Sequence, residues 1–407
     1  MAFDTTSGKY YLLSSQARVQ VPYIKVTIGK YVFGVFSKES KNENNLKQFE
    51  IEYPNYIQSL NITKINGKVN QYTLAIKYPV TQFDDPNFFE KVFSSVSNTR
   101  KIVFSYGDTS MPNFLYREEE AMITKISQTF DIVNSIISYR VSAISSSTLA
   151  KSGSYTFINN KPVKPSDEIK RLFKDTRFGL RDLFTGMTEK NLDKFIAGDD
   201  AFVTISSKTN ISVLDYITYL VGCMIPASGN INTNISKDIY ILTIHDDTVY
   251  DKLFQNHDML DGEEITGPYF KVTKTSYAQA RTDAYTIDIG YNTSTIVTNF
   301  SLENQENYSL YYDYQQKLSN NNKYTRRIND QGLWEDVFAP ATTSNNTTYK
   351  TRPEDIQWYT KITKYPINAS ITIQGLLRPA TLMQYIRLNT IFPGGHKHIS
   401  SGLYIVT

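Results

Sequence analysis

Few groups in this chain have the type and spacing to do chemistry. His396-Lys397-His398 sets two imidazoles on one face of an extended segment, which is half of a metal site. No carboxylate or third ligand lies within ten residues of them, so a solvated turn after Pro393-Gly-Gly395 is expected. Glu118-Glu119-Glu120 and Asp261-Gly-Glu-Glu264 are acidic clusters. Paired carboxylates do acid–base work only where burial or a partner separates their pKa values. Side by side on a loop, they are expected to be solvated. Asp246-Asp247 closes an apolar run and has the hardness for a divalent cation, but a turn-initiating role is the expectation. Cys223, between Val221 and Met224, reads as a small hydrophobe on a helix face, with no histidine close in sequence to activate it. There is no P-loop, dinucleotide fingerprint, His-Glu-x-x-His or nucleophile elbow. The expectation is therefore no catalytic, cofactor-binding or metal residue, no cofactor, and no enzyme.

Composition narrows the classes further. The chain has 407 residues, 40% of them hydrophobic and 20% charged, enough for a core and for two or three domains. Its 43 basic and 40 acidic residues nearly cancel, unlike the basic excess of a nucleic-acid binder. One cysteine rules out a disulfide within the chain. The first residues carry no basic and apolar leader, and the longest apolar stretch, Val213 to Ile225, is short and holds Asp215. A soluble protein made in a reducing compartment is expected, and the Asn-x-Ser/Thr triplets read as chance.

Most of the elements that must position these residues are strands. Alternation and β-branched content predict strands from Arg18 to Ile28, Tyr31 to Ser37, Phe49 to Tyr53, Tyr56 to Lys64, Tyr72 to Tyr78 and Lys101 to Gly107. Two long strands follow, Ala121 to Phe130 and Ile132 to Ser145, and Asn66-Gly67 is a hairpin signal. Helices are predicted at Asp85 to Ser97, at short pieces within Ser166 to Ala197, and at Ser212 to Ile225. Later strands fall at Tyr269 to Thr275, Ala284 to Ile289, Ile296 to Leu302, Ala369 to Gln374, Gln384 to Ile391 and Leu403 to Val406. Glu303 to Tyr365 reads as polar excursions with one helix near Tyr308 to Lys317. Bare strand edges and an aromatic-rich surface suggest a structural, oligomeric β-rich protein.

Three stretches give the chain a resemblance to baseplate hub proteins of contractile-tailed bacteriophages. They are the strand series from Glu50-Ile-Glu-Tyr53 to Ile102-Val-Phe-Ser-Tyr-Gly107, the helix at Ser212 to Ile225 followed by Tyr240 to Asp246, and Asn368 to Gly375 with Ser401 to Val406. The resemblance implies a mainly β (α+β) fold with two tail-tube-like β-barrels, short helical insertions and a C-terminal β-domain. The implied division is 15–150 for the first barrel, 151–210 for a helical insertion, 211–305 for the second barrel, and 306–407 for extended excursions and the C-terminal domain. It implies a virion protein made in the host bacterial cytoplasm. Three copies would form a ring with a polar central channel, joining the sixfold tube or its initiator to the threefold spike and other baseplate proteins. No sequence-specific nucleic-acid binding and no integral membrane segment go with it. The competing readings are a hexameric tube-initiator or distal tail protein, a tail-borne cell-wall hydrolase, and a carbohydrate-binding β-protein. Gly402, Leu403, Tyr404, Ile405 and Val406 are expected to be paired, either within their own domain or by strand addition at a lower interface.

Overall fold

In the computed structural model, the described residues are 22–34, 51–53, 56–79, 92–93, 100–108, 117–227, 239–249, 267–275, 285–290, 297–304, 324–328, 334–338, 367–373, 382–383, 385–398 and 400–407. The chain is mainly β, as the alternation requires. The first eight strands are β1 (Pro22–Ile28), β2 (Tyr31–Gly34), β3 (Ile51–Tyr53), β4 (Ile57–Thr63), β5 (Gln71–Pro79), β6 (Lys101–Asp108), β7 (Arg117–Asp131) and β8 (Ile136–Ser145). They lie side by side in the order β3-β2-β1-β6-β7-β8-β5-β4.

The two ends of this path are consecutive in sequence. Tyr53 ends β3 and Ile57 begins β4, so their Cα atoms lie within about 15 Å of each other. Flat, the same path would separate them by ~34 Å at normal strand spacing. The sheet must therefore curl on itself, into an incomplete barrel without a β3–β4 ladder among the described residues. Its inward positions alternate along each strand: Val26 and Ile28, Leu74 and Ile76, Ile102 and Phe104, Ala121 and Ile123, Val141 and Ala143 form one core. Tyr72 stacks on Phe104 inside it at 5.0 Å. Of the helix expected over Asp85 to Ser97, residues 92–93 are described as helical, and both are buried in this core.

A second core follows. A 3-10 turn (Ser146–Lys151) leads to β9 (Tyr155–Phe157), α1 (Pro165–Lys174), a 3-10 turn (Thr176–Phe178), α2 (Leu180–Leu183), α3 (Leu192–Phe195), β10 (Lys208–Ile211) and α4 (Val213–Gly222). Asp167 and Glu168 sit in the first turn of α1 and Arg171 and Lys174 in its last, as the helix dipole favours. Ser212 caps α4 by accepting from the Asp215 N–H at 3.1 Å. The strand β11 (Tyr240–His245) pairs antiparallel with β13 (Tyr269–Lys274) over these helices, and β12 (Asp247–Val249) departs to join the barrel sheet. Phe157 stacks flat on Tyr216 at 3.8 Å, and Phe270 meets Phe184 edge-on at 5.0 Å. Cys223 is buried at the C-cap of α4 in this core, as its neighbours suggested.

Among the later described residues, β14 (Tyr285–Gly290) pairs parallel with β19 (Tyr385–Ile391), and β19 pairs antiparallel with β20 (Gly402–Ile405). The strands β15 (Val297–Asn304) and β18 (Ile367–Ile373) form a second ladder. A third pair, β16 (Tyr324–Ile328) with β17 (Trp334–Phe338), corrects the reading of Glu303 to Tyr365 as excursions only. Overall polarity had masked two short aromatic and β-branched runs there. The helix suggested near Tyr308 to Lys317 lies outside the described residues.

A second correction concerns 132–135. This segment is not the start of a strand but the turn between β7 and β8, with Asp131 opposite Ile136. Asp131 fixes the turn, accepting from the Asn134 N–H at 3.1 Å and from its side-chain amide at 2.7 Å. Ser135 takes a positive φ of 51°, so two β-branched residues, Ile132 and Val133, are carried on a tight turn.

Candidate functional site

Where β8 leaves β7, β12 takes its place. The last β7–β8 pair is Ala121 with Ser145, and the next partner of β7 is Asp247, opposite Glu119. At this exchange the inward positions of several strands continue in phase but become polar. Lys64 follows Ile62, Asn70 precedes Tyr72, Tyr106 follows Phe104, Glu119 precedes Ala121 and Ser145 follows Ala143. Together they form a polar layer at one end of the barrel core. Asp246 enters it from β11, in phase with the buried Leu242 and Ile244 of the second core.

Glu119 and Asp246 are both 0% exposed. Glu119 is met by the Lys64 ammonium, by the Tyr106 hydroxyl at 2.7 Å and by the Tyr72 hydroxyl at 2.7 Å. Asp246 accepts from the Asn70 amide at 2.7 Å, from the Ser145 hydroxyl, and lies 3.0 Å from the same Tyr72 oxygen. Burial drives the Asp246 pKa up to about 6, and the nearby Glu119 charge adds to it, while the hydrogen bonds from Ser145 and Asn70 act against it. Burial, then the two carboxylates, push the Tyr72 phenol well above its ordinary value. Backbone bonds cross the same joint, from Glu120 N–H to Asp246 O at 3.1 Å and from Gly67 N–H to Leu242 O at 2.8 Å. Gly67 makes the second possible: its φ of +71° is the left-handed turn that Asn66-Gly67 signalled, and it turns that N–H toward β11.

The cluster thus joins the barrel to the helical core through buried, charge-assisted hydrogen bonds. Its interior position corrects the sequence reading twice. Glu118 to Glu120 are on a strand and not a loop, and the middle one faces inward. Asp246 is not a solvated turn starter but a buried acceptor. The Lys64 ammonium occupies the place a cation would take, and no group of three metal-ligating side chains occurs among the described residues. Strand phase was the available signal, since Glu119 and Asp246 each sit two residues from a buried apolar position.

The other candidates separate. His398 lies against Phe392, with Nδ1 2.7 Å from Ser400 Oγ, just after the expected turn. Asp261-Gly-Glu-Glu264 lies outside the described residues. Gly402–Ile405 is paired with β19 in its own sheet, and Met383 N–H reaches Val406 O at 2.9 Å. Removing residues 403–407 is expected to loosen β14 and β19 while leaving the barrel intact. Limited proteolysis should then cut within β14 or β19 and spare β6, β7 and β8. No described helix is long and apolar enough to cross a membrane.

No protein-family model and no curated protein matches the chain. Among solved structures its fold is similar to that of a tail protein from Neisseria meningitidis MC58, with TM-score 0.44 and 8% identity over 94% of this chain and 90% of that one. It is also similar to the 43 kDa tail protein of prophage MuSo2 from Shewanella oneidensis, with TM-score 0.41 and 9% identity over 90% and 88%. A third is the E. coli c3393 protein, a type VI secretion component described as structurally similar to T4 tail proteins, with TM-score 0.29 and 9% identity over 64% and 58%.

Proposed function

We propose that this chain is a structural protein of a phage-type tail, acting as a hub at the tail tip, and not an enzyme. Three copies form a ring that joins the sixfold tube to the threefold spike, in a virion assembled in the bacterial cytoplasm. The element order that carried the sequence resemblance supports this reading: α4 precedes β11 at mid-chain, and β18, β19 and β20 close the described part. The observation that carries it is the β7–β8 hairpin. Its end is exposed, with Phe130 52%, Ile132 79% and Val133 91% accessible. Three exposed apolar side chains at one hairpin end, two of them on the turn, suit a protein that covers them on assembly.

Replacing Ile132 and Val133 with Asp tests this. Both side chains are exposed, so the melting temperature of the isolated chain is expected to stay within 1–2 °C, since surface changes cost roughly 0.5 kcal/mol or less. Sedimentation velocity should show the wild-type assembly lost. An unchanged assembly in the double variant contradicts the reading.

A further inference from the structure

The oxygen of Tyr72 stands 2.7 Å from Glu119 Oε2 and 3.0 Å from Asp246 Oδ2. Contacts this short between oxygens each hold a proton. The phenol supplies one, so the second must sit on a carboxyl. Glu119 is already met by an ammonium and by the Tyr106 hydroxyl, which favour its ionised form. Asp246 has no cation among its hydrogen-bond partners, which are Asn70, Ser145 and Tyr72.

We propose that the joint shown is the protonated state of a pH-sensitive latch: Asp246 donates its proton to the Tyr72 oxygen, Tyr72 donates to Glu119, and loss of the Asp246 proton to solvent loosens β12 from β7. After that loss the single phenol proton serves only one of two buried carboxylates, and their charges repel across it. The groups facing Asp246 are Glu119 from β7, Lys64 from the end of β4 and Tyr72 from β5, with Asn70 and Ser145 neutral. Tyr106 from β6 donates to Glu119, and neighbouring His245 is turned to Thr243 and stacked on Tyr269 at 4.4 Å. Burial pushes the pKa of this carboxyl up to about 6.

The sign follows from linkage. A carboxyl whose pKa is raised in the closed state favours closure fully below its ordinary value near 4, and that contribution is lost as pH rises to about 6. The test is hydrogen exchange on the full chain from pH 4.5 to 7.5, read at the Glu120 amide that donates to Asp246 O. After correction for intrinsic exchange, wild-type protection should fall roughly tenfold per pH unit up to about pH 6 and then level off. In Asp246→Asn this fall should be absent while the rest of the barrel exchanges as before. Equal pH profiles in the two proteins overturn the latch. Should Asp246→Asn fail to fold, carboxyl-13C spectra of wild type decide. One aspartate titrating near pH 6 upholds the proposal, and none doing so overturns it.

Discussion

Of three consecutive glutamates, only the middle one is expected to matter. Glu119→Ala should destabilise the chain by about 3–5 kcal/mol, the range for breaking a buried ion pair. It strips the partly buried Lys64 of its carboxylate and removes the acceptor of the Tyr72 and Tyr106 hydroxyls. Glu118 and Glu120 face the other side of β7. Glu118 accepts from Ser105 at 3.2 Å and Glu120 pairs with Lys101 at 2.8 Å, where Lys101 is 57% exposed. Alanine at either site should cost no more than about 1 kcal/mol. Urea denaturation of the three variants separates them, and comparable losses at all three would mean that Glu119 is not the keystone of the joint.

The second large effect belongs to the helical core. Phe270 on β13 is fully buried, edge-on to both Phe184 and Phe173, and its backbone N–H is directed at Met187 Sδ at 3.4 Å. Phe270→Ala is expected to cost about 3–5 kcal/mol, from lost transfer free energy and the cavity left behind. Phe130→Ala, the same change at the exposed hairpin end, should cost under about 1 kcal/mol in the unassembled chain, because that ring is already half in water. A calorimetric comparison checks the pair. Equal melting temperatures would show that β13 does not seal the helical core.

Much of this architecture was legible in the residues. Alternation located most barrel strands, because each turns one face inward, as in β5, where Tyr72, Leu74 and Ile76 are buried and Gln71 and Lys77 are exposed. Pro165 with Asp167 and Glu168 marked α1, and Ser212 marked α4, because caps and dipoles act locally. What escaped was set by distant partners. Nothing near Glu119 in sequence announces Asp246, since the residues that satisfy both carboxylates come from four other strands and their ends. Ile132 and Val133 read as strand because β-branched residues favour strands, yet Asp131 and Asn134 impose a turn through side-chain bonds. The hairpin β16–β17 was hidden by averaging over a long polar stretch.

The number of copies in the assembly tests the central claim most directly. Native mass spectrometry of the full chain, at a concentration where the wild type associates, should give three copies. A stable monomer at every concentration, or a ring of six, contradicts the hub.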